Sequence, residues 1–177
     1  MTGNNPVDRS KVGTKRHILT DRKGIPLSVV ISSANTHDIK MVTDVVDNVV
    51  IKRPSSNKPK TGRRKLQHLC LDKAYISQAE EHKLIKRGYV LHIPIKRKIN
   101  EKEKEAQKIR IEIQQQQQQS CLKRKRYSAK RWVVERTNSW HNRFRKLFTR
   151  YEKKSENYLG LVQFSCCIII YRKIILG

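Results

Sequence analysis

The chain has 177 residues, enough for one domain with a modest core, and carries 40 Lys and Arg against 15 Asp and Glu, a formal net charge of +25. Such a charge repels itself in a compact fold, so a polyanion is the expected partner, and nucleic acid fits best because the basic residues run through the whole length. A membrane surface fits less well, since no basic amphipathic segment stands alone.

Residues Met1 to Lys15 bear Gly, Asn and Lys and read as irregular. Arg16–Leu19 and Ile25–Ser32 read as two strands joined by Asp21-Arg22-Lys23-Gly24, a turn in which Gly24 is free to take positive φ. The second strand is a nearly continuous apolar run, which predicts burial on both faces. Asn35 to Asp38 offers capping residues, and Met41, Val42, Val45, Val46 and Val49 follow at helical spacing. Arg53 to Lys65 is a basic, Pro- and Ser-bearing loop. Leu66–Leu71 then reads as a short buried strand with Asp72 just past its end. A helix from about Ser77 to Arg87 stops at Gly88, and Tyr89–Ile95 is another strand. Strand, helix, strand predicts parallel pairing with a right-handed crossover. In such sheets chemistry gathers at the carboxyl ends of strands, where Asp72 stands. On its own, Asp72 is equally a residue of the turn leading into the helix.

Ile99 to Ser120 breaks the pattern. It is charged, helix-prone and ends in Gln114–Gln119, which predicts an exposed or disordered insert. Leu122 to Lys130 is a basic ramp into RWVVERTNSWHNRFRKLFTR, Arg131 to Arg150. As a helix this stretch puts Val133, Thr137, Trp140, Phe144, Leu147, Phe148 and Tyr151 on one stripe, predicted to be buried. Arg131, Glu135, Asn138 and Asn142 share the opposite side. Glu135 is the only acid between Glu112 and Glu152. On spacing alone, the simplest reading of Arg131 and Glu135 is an i, i+4 ion pair on a solvated face. The apolar segment Leu161 to Tyr171 is too short to span a bilayer and predicts a buried C-terminal helix. No apolar stretch near Met1 suits a signal peptide. Cys70, Cys121, Cys166 and Cys167 lack zinc-type spacing and read as reduced, buried thiols of a cytosolic protein.

Three blocks in order carry a resemblance: NPVDRSKVGTKRHILTDRKGIPLSVVISSANTHD, then LDKAY, then RWVVERTNSWHNRFRKLFTRYEK. Together they resemble the catalytic portion of the DDE transposases of bacterial insertion sequences, in the group whose third block reads RWVVERT…W.NRFRRL…RYE. The resemblance runs from about Asn5 to Tyr171 and leaves out only the insert. It implies an α/β, ribonuclease H-like mixed sheet with flanking helices. It also implies three carboxylates holding two Mg2+ or Mn2+ ions, a DNA partner and a cytoplasmic, nucleoid-associated setting. The second acid falls on Asp72, with Ala74 and Tyr75 completing its motif. The third falls on Glu135, with Arg131 matching the R-x3-E core of the signature. Tyr127 is one residue too far from Arg131, with Ser128 in the expected place. Asn142 holds the position of the signature lysine, and Lys146 stands one turn later.

The chemistry agrees. In-line phosphoryl transfer uses two hard cations to serve the attacking and leaving oxygens, and such cations take carboxylate oxygens. Lys123, Arg124, Arg126, Arg136, Arg143 and Arg145 are the expected phosphate contacts. The family's first Asp precedes the NPVDRSK block, so these residues read as a catalytic domain without its first strand and first acid. That predicts inactivity alone and a need for the N-terminal part or another transposase copy. The alternative is a non-catalytic, basic DNA-binding remnant that interferes with an intact transposase.

Overall fold

The structure, a computed structural model, describes residues 2–5, 11–51, 67–72, 75, 77–93, 108, 112 and 132–176. The chain divides into two compact units, Met1–Ser55 with Arg131–Gly177, and Ser56–Lys130. Both mix helix and strand, so the α/β class holds.

The first unit is built on an antiparallel sheet of three strands in the order β1 (Gly3–Asn4), β2 (Val12–Thr20) and β3 (Pro26–Ser33). The expected hairpin is present and longer than its apolar pattern indicated. Its register runs from Thr14 opposite Ser33 to Thr20 opposite Pro26. Its turn is an Asx turn. Asp21 Oδ1 accepts from the backbone N–H groups of Lys23 and Ile25, both at 2.8 Å, and Gly24 takes φ +85°. No residue of β3 is exposed, as its apolar run predicted. Residues 1–15 are not all irregular. Gly3 and Asn4 pair with Gly13 and Val12, because the β2 backbone continues past its apolar part and offers a free edge.

Helix α1 (Asp38–Asp47) buries Val42, Val45 and Val46 and packs on β2 and β3. Lys15 Nζ donates to Asp38 Oδ1 and to the Thr36 carbonyl, each at 3.0 Å, and so ties β2 to the start of α1. The chain returns as α3 (Trp132–Asn142), α4 (Arg145–Phe148) and α5 (Ser155–Ile174). Ile31, Leu147, Tyr158 and Val162 form the core between β3 and α5.

Two expectations fail here. The helix from Arg131 is not continuous to Arg150. Arg143 N and Phe144 N bond back three residues, to Trp140 O and His141 O, and Phe144 takes an extended conformation. The helical phase is lost there, so Phe148 and Tyr151 leave the buried stripe and stand 72% and 77% exposed. The C-terminal helix buries only one face, through Tyr158, Val162, Ser165, Cys166 and Ile169, while Phe164, Cys167 and Tyr171 are exposed. The thiol reading therefore holds for Cys166 and fails for Cys70 and Cys167, which are exposed. Cys121 lies outside the described residues.

The second unit holds β4 (Gln67–Cys70), α2 (Gln78–Lys86) and β5 (Tyr89–His92). The two strands are parallel, as predicted, with Gln67 opposite Tyr89 and Cys70 opposite His92. Gly88 at φ +80° ends α2, donating to Ile85 O at 2.8 Å. Leu69, Leu84, Val90 and Leu91 are buried. The rest of β4 is not: His68 and Cys70 are exposed because only one face of that strand is covered, and Gln67, on the face of Leu69, is exposed at the strand's first residue. The loop at 53–65 and the insert at 99–120 lie outside the described residues, apart from Lys108 and Glu112.

Candidate active-site residues

Glu135 stands on α3, and the sequence of α3 decides how that helix is held. Val133, Thr137 and His141, four residues apart, are its buried face. Thr137 Oγ1 lies 2.8 Å from the Gly24 carbonyl oxygen and 3.1 Å from that of Val133, and shares its one proton between them. Arg136 donates from Nη2 to the Lys23 carbonyl at 2.6 Å. Its guanidinium lies 4.7 Å from the Trp132 ring and 5.1 Å from the Trp140 ring. The two indole faces offset the charge where Nε has no hydrogen-bond partner. Gly24 is required twice over. Its φ is left-handed, and a Cβ there would meet Arg136 Nη2 at 3.0 Å and Thr137 Oγ1 at 3.1 Å. Further along, Arg16 Nη2 donates to Asn142 Oδ1 at 2.7 Å. The helix is thus pinned to the hairpin at its middle and at its C-terminal end.

Further along the same buried face, α3 meets α5 through a polar contact that sequence reading missed. Ser165 donates to the Val162 carbonyl at 2.7 Å, so its oxygen accepts from Nδ1–H of His141 at 2.6 Å. Nε2 of His141 then faces the Cys166 thiol at 3.8 Å as an acceptor. Burial, helped by the Arg16 guanidinium, pushes His141 down to about 4, so the ring stays neutral. Burial and Cys167 push the Cys166 thiol up to about 11. The signal was available: His141 continues the i, i+4 stripe of Val133 and Thr137.

Between these anchors Glu135 and Asn142 are exposed and Asn138 is half-buried, on the common side that the helical period predicts. Trp140, read as buried, is half-exposed, and its ring also carries Lys173 Nζ at 4.9 Å. Arg143 and Arg145 are exposed and Arg136 is half-buried. A cleft begins at Asn142 and is lined by Arg145, Lys146, Phe148, Thr149 and Tyr151. In the second unit Asp72 follows the carboxyl end of β4, half-buried, with its carbonyl accepting from Tyr75 N at 3.0 Å. Arg131, Tyr127, Lys123, Arg124 and Arg126 lie outside the described residues, and so does the ion pair of Arg131 with Glu135.

Asp72 and Glu135 carry the oxygen donors that Mg2+ or Mn2+ takes. Among the described residues no three His, Cys, Asp or Glu side chains gather to hold an ion. The donor chemistry fits, and the described set is incomplete. No described helix is long and apolar enough to cross a membrane.

Residues 2–170 match the family model described as the transposase DDE domain. A Burkholderia cepacia protein assigned as the transposase for insertion sequence element IS402 is 27% identical over 170 residues, covering 96% of this chain and 68% of that protein. No solved structure matches. The match runs through both acid-bearing blocks and almost every residue between them, and on that ground this chain belongs to the DDE transposases of insertion sequences.

Proposed function

We infer that this chain has a role in DNA transposition, which its family membership supports. We propose that this chain supplies two of the three catalytic carboxylates, Asp72 and Glu135, to a ribonuclease H-like active site. That site cleaves and joins DNA ends. The observation that carries the reading is the setting of Glu135. It is exposed on a helix that is fixed to the hairpin through Arg136, Thr137 and Asn142. Fixing the helix sets where the carboxylate can reach without covering it. Asp72, at a strand end, has the placement that open α/β sheets give to reacting groups.

Two hard divalent cations, Mg2+ or Mn2+, would supply activation of the attacking oxygen and stabilisation of the leaving one. The chain's own part is to hold the carboxylates and the DNA. Arg143 and Arg145 are exposed next to Asn142, and the cleft there sets Arg145 and Lys146 beside Phe148 and Tyr151. Cations and aromatic faces together suit a sugar–phosphate backbone and its bases. Lys123, Arg124 and Arg126 are further phosphate contacts in the proposal. Asp38, the other acid near the hairpin, is paired with Lys15 at 3.0 Å and is not assigned a catalytic part.

The test is a nicking and strand-transfer assay on DNA bearing the element's ends, with Mg2+ or Mn2+. Mn2+ binding is expected to weaken in both Asp72→Asn and Glu135→Gln, and any metal-dependent cleavage to be lost in both. Cleavage or full Mn2+ binding that survives either substitution would overturn the assignment of that acid.

A further inference from the structure

The second unit holds a pair of imidazoles that DNA chemistry does not use. His68 lies on β4 and His92 on β5, one step apart diagonally in a parallel register that sets His68 opposite Val90 and Cys70 opposite His92. In a strand, residues two apart share a face, so both rings rise from the same side of the sheet. Nδ1 of His68 and Nε2 of His92 are 2.8 Å apart, with ring centroids at 5.1 Å and planes 29° apart. His68 is exposed, and His92 half-buried.

We propose that His68 and His92 supply two imidazole ligands to a borderline divalent transition metal such as Zn2+. Their hydrogen-bonded ring nitrogens already stand near the separation such a cation needs. With bonds of about 2.0–2.1 Å, two ligands of a tetrahedral ion stand roughly 3.3 Å apart, so the rings need to open only a few tenths of an ångström. Neutral rings are also required. Burial lowers both imidazoles from their ordinary value, and for His92 the neighbouring His68 adds to it. The ring that donates in the present hydrogen bond must move its proton to its other nitrogen before both facing nitrogens can bind an ion. Imidazole nitrogen selects zinc, nickel or copper over the hard magnesium ion that carboxylates prefer. The site therefore discriminates against the ion expected at Asp72 and Glu135. An ion there would bridge the two strands four residues before Asp72, on the strand that leads to it. Stiffening that strand end is the expected structural effect.

The site does not depend on the catalytic reading, and the experiment keeps the two apart. Zn2+ is titrated calorimetrically into the full chain near neutral pH, with Mg2+ as the comparison ion. One saturable Zn2+ is expected that Mg2+ in excess does not displace. His68→Gln and His92→Gln should each weaken it by about tenfold or more, since losing a ligand costs at least what losing an outer-shell partner costs. Asp72→Asn and His82→Gln should leave it unchanged. Far-UV circular dichroism checks each fold, and His68→Gln, at an exposed position, carries the test if His92→Gln misfolds. Absence of saturable Zn2+ binding, or binding that survives His68→Gln, would overturn the site. Loss in Asp72→Asn would move the ion to the carboxylates and overturn it equally.

Discussion

The two units hold their acids by different means. In the first, Glu135 stands on a helix fixed by side chains that come from far away in sequence: Arg16 to Asn142, Arg136 to Lys23, Thr137 to Gly24 and His141 to Ser165. In the second, Asp72 follows a four-residue strand with one covered face, and its carbonyl accepts from Tyr75 N. A helix that touches both a hairpin and another helix along one face has many partners to bond. A short strand fixes its end residue mainly through the neighbouring ladder. The position of Glu135 should therefore be sensitive to distant single substitutions, and that of Asp72 to the backbone of β4 and β5.

The largest expected effect concerns DNA. A protein making six to ten phosphate contacts loses about 10³–10⁵-fold in affinity between 50 and 200 mM salt. A loss of that order is expected here by fluorescence anisotropy on any duplex. Removing Arg143 and Arg145 together should lower the salt slope by about two without moving the melting temperature. Arg136→Ala should do the reverse, costing stability more than slope, because its guanidinium holds the hairpin. A flat salt dependence would remove the electrostatic picture altogether.

Next in size is Gly24→Val. It forces a β-branched residue to φ +85° and drives a side chain at Arg136 and Thr137. About 2–3 kcal/mol should be lost in urea unfolding. Gly88→Ala, where only φ +80° is at stake, should cost about 1–2 kcal/mol. Equal costs would mean that the contact with α3 contributes nothing. Thr137→Val keeps the shape and removes the hydroxyl, leaving the Gly24 carbonyl without that donor. About 1–2 kcal/mol is expected.

The pH dependence follows from His141. Its folded value of about 4 lies below the ordinary 6.5, so the unfolded chain binds the proton more tightly. The stability it contributes is complete above pH 6.5 and is lost as pH falls from there towards 4. Denaturant midpoints across this range should fall less steeply in His141→Gln. The smallest effect belongs to Lys15→Met. The pair with Asp38 is about one-third exposed on each side, and its loss should cost about 0.2–1 kcal/mol.

Much of this arrangement was legible in the sequence. The hairpin was written in an apolar run and a D-R-K-G turn, and the parallel pair in two short apolar runs around a Gly-stopped helix. Each is a local signal. What escaped was non-local or broke a period. Gly3 and Asn4 pair with β2 without any pattern of their own. Phe148 and Tyr151 left the stripe because the helix resets at Phe144, where no proline or glycine marks the break. Arg16 and Asn142 meet across 126 positions, which no spacing rule reaches. The acids themselves were chosen by resemblance: spacing alone read Glu135 as half of an ion pair and Asp72 as a turn residue.

The guanidinium of Arg136 between two indoles has an optical consequence. Trp132 and Trp140 are the only tryptophans in the chain, and both flank that one cation. Intrinsic emission is therefore a local signal. It should change when Arg136 leaves the Lys23 carbonyl, and it is blind to residues 56–130, which contain no tryptophan. Circular dichroism registers the backbone of both units. Unfolding curves followed by the two signals coincide only if α3 comes off the hairpin as the rest of the chain unfolds.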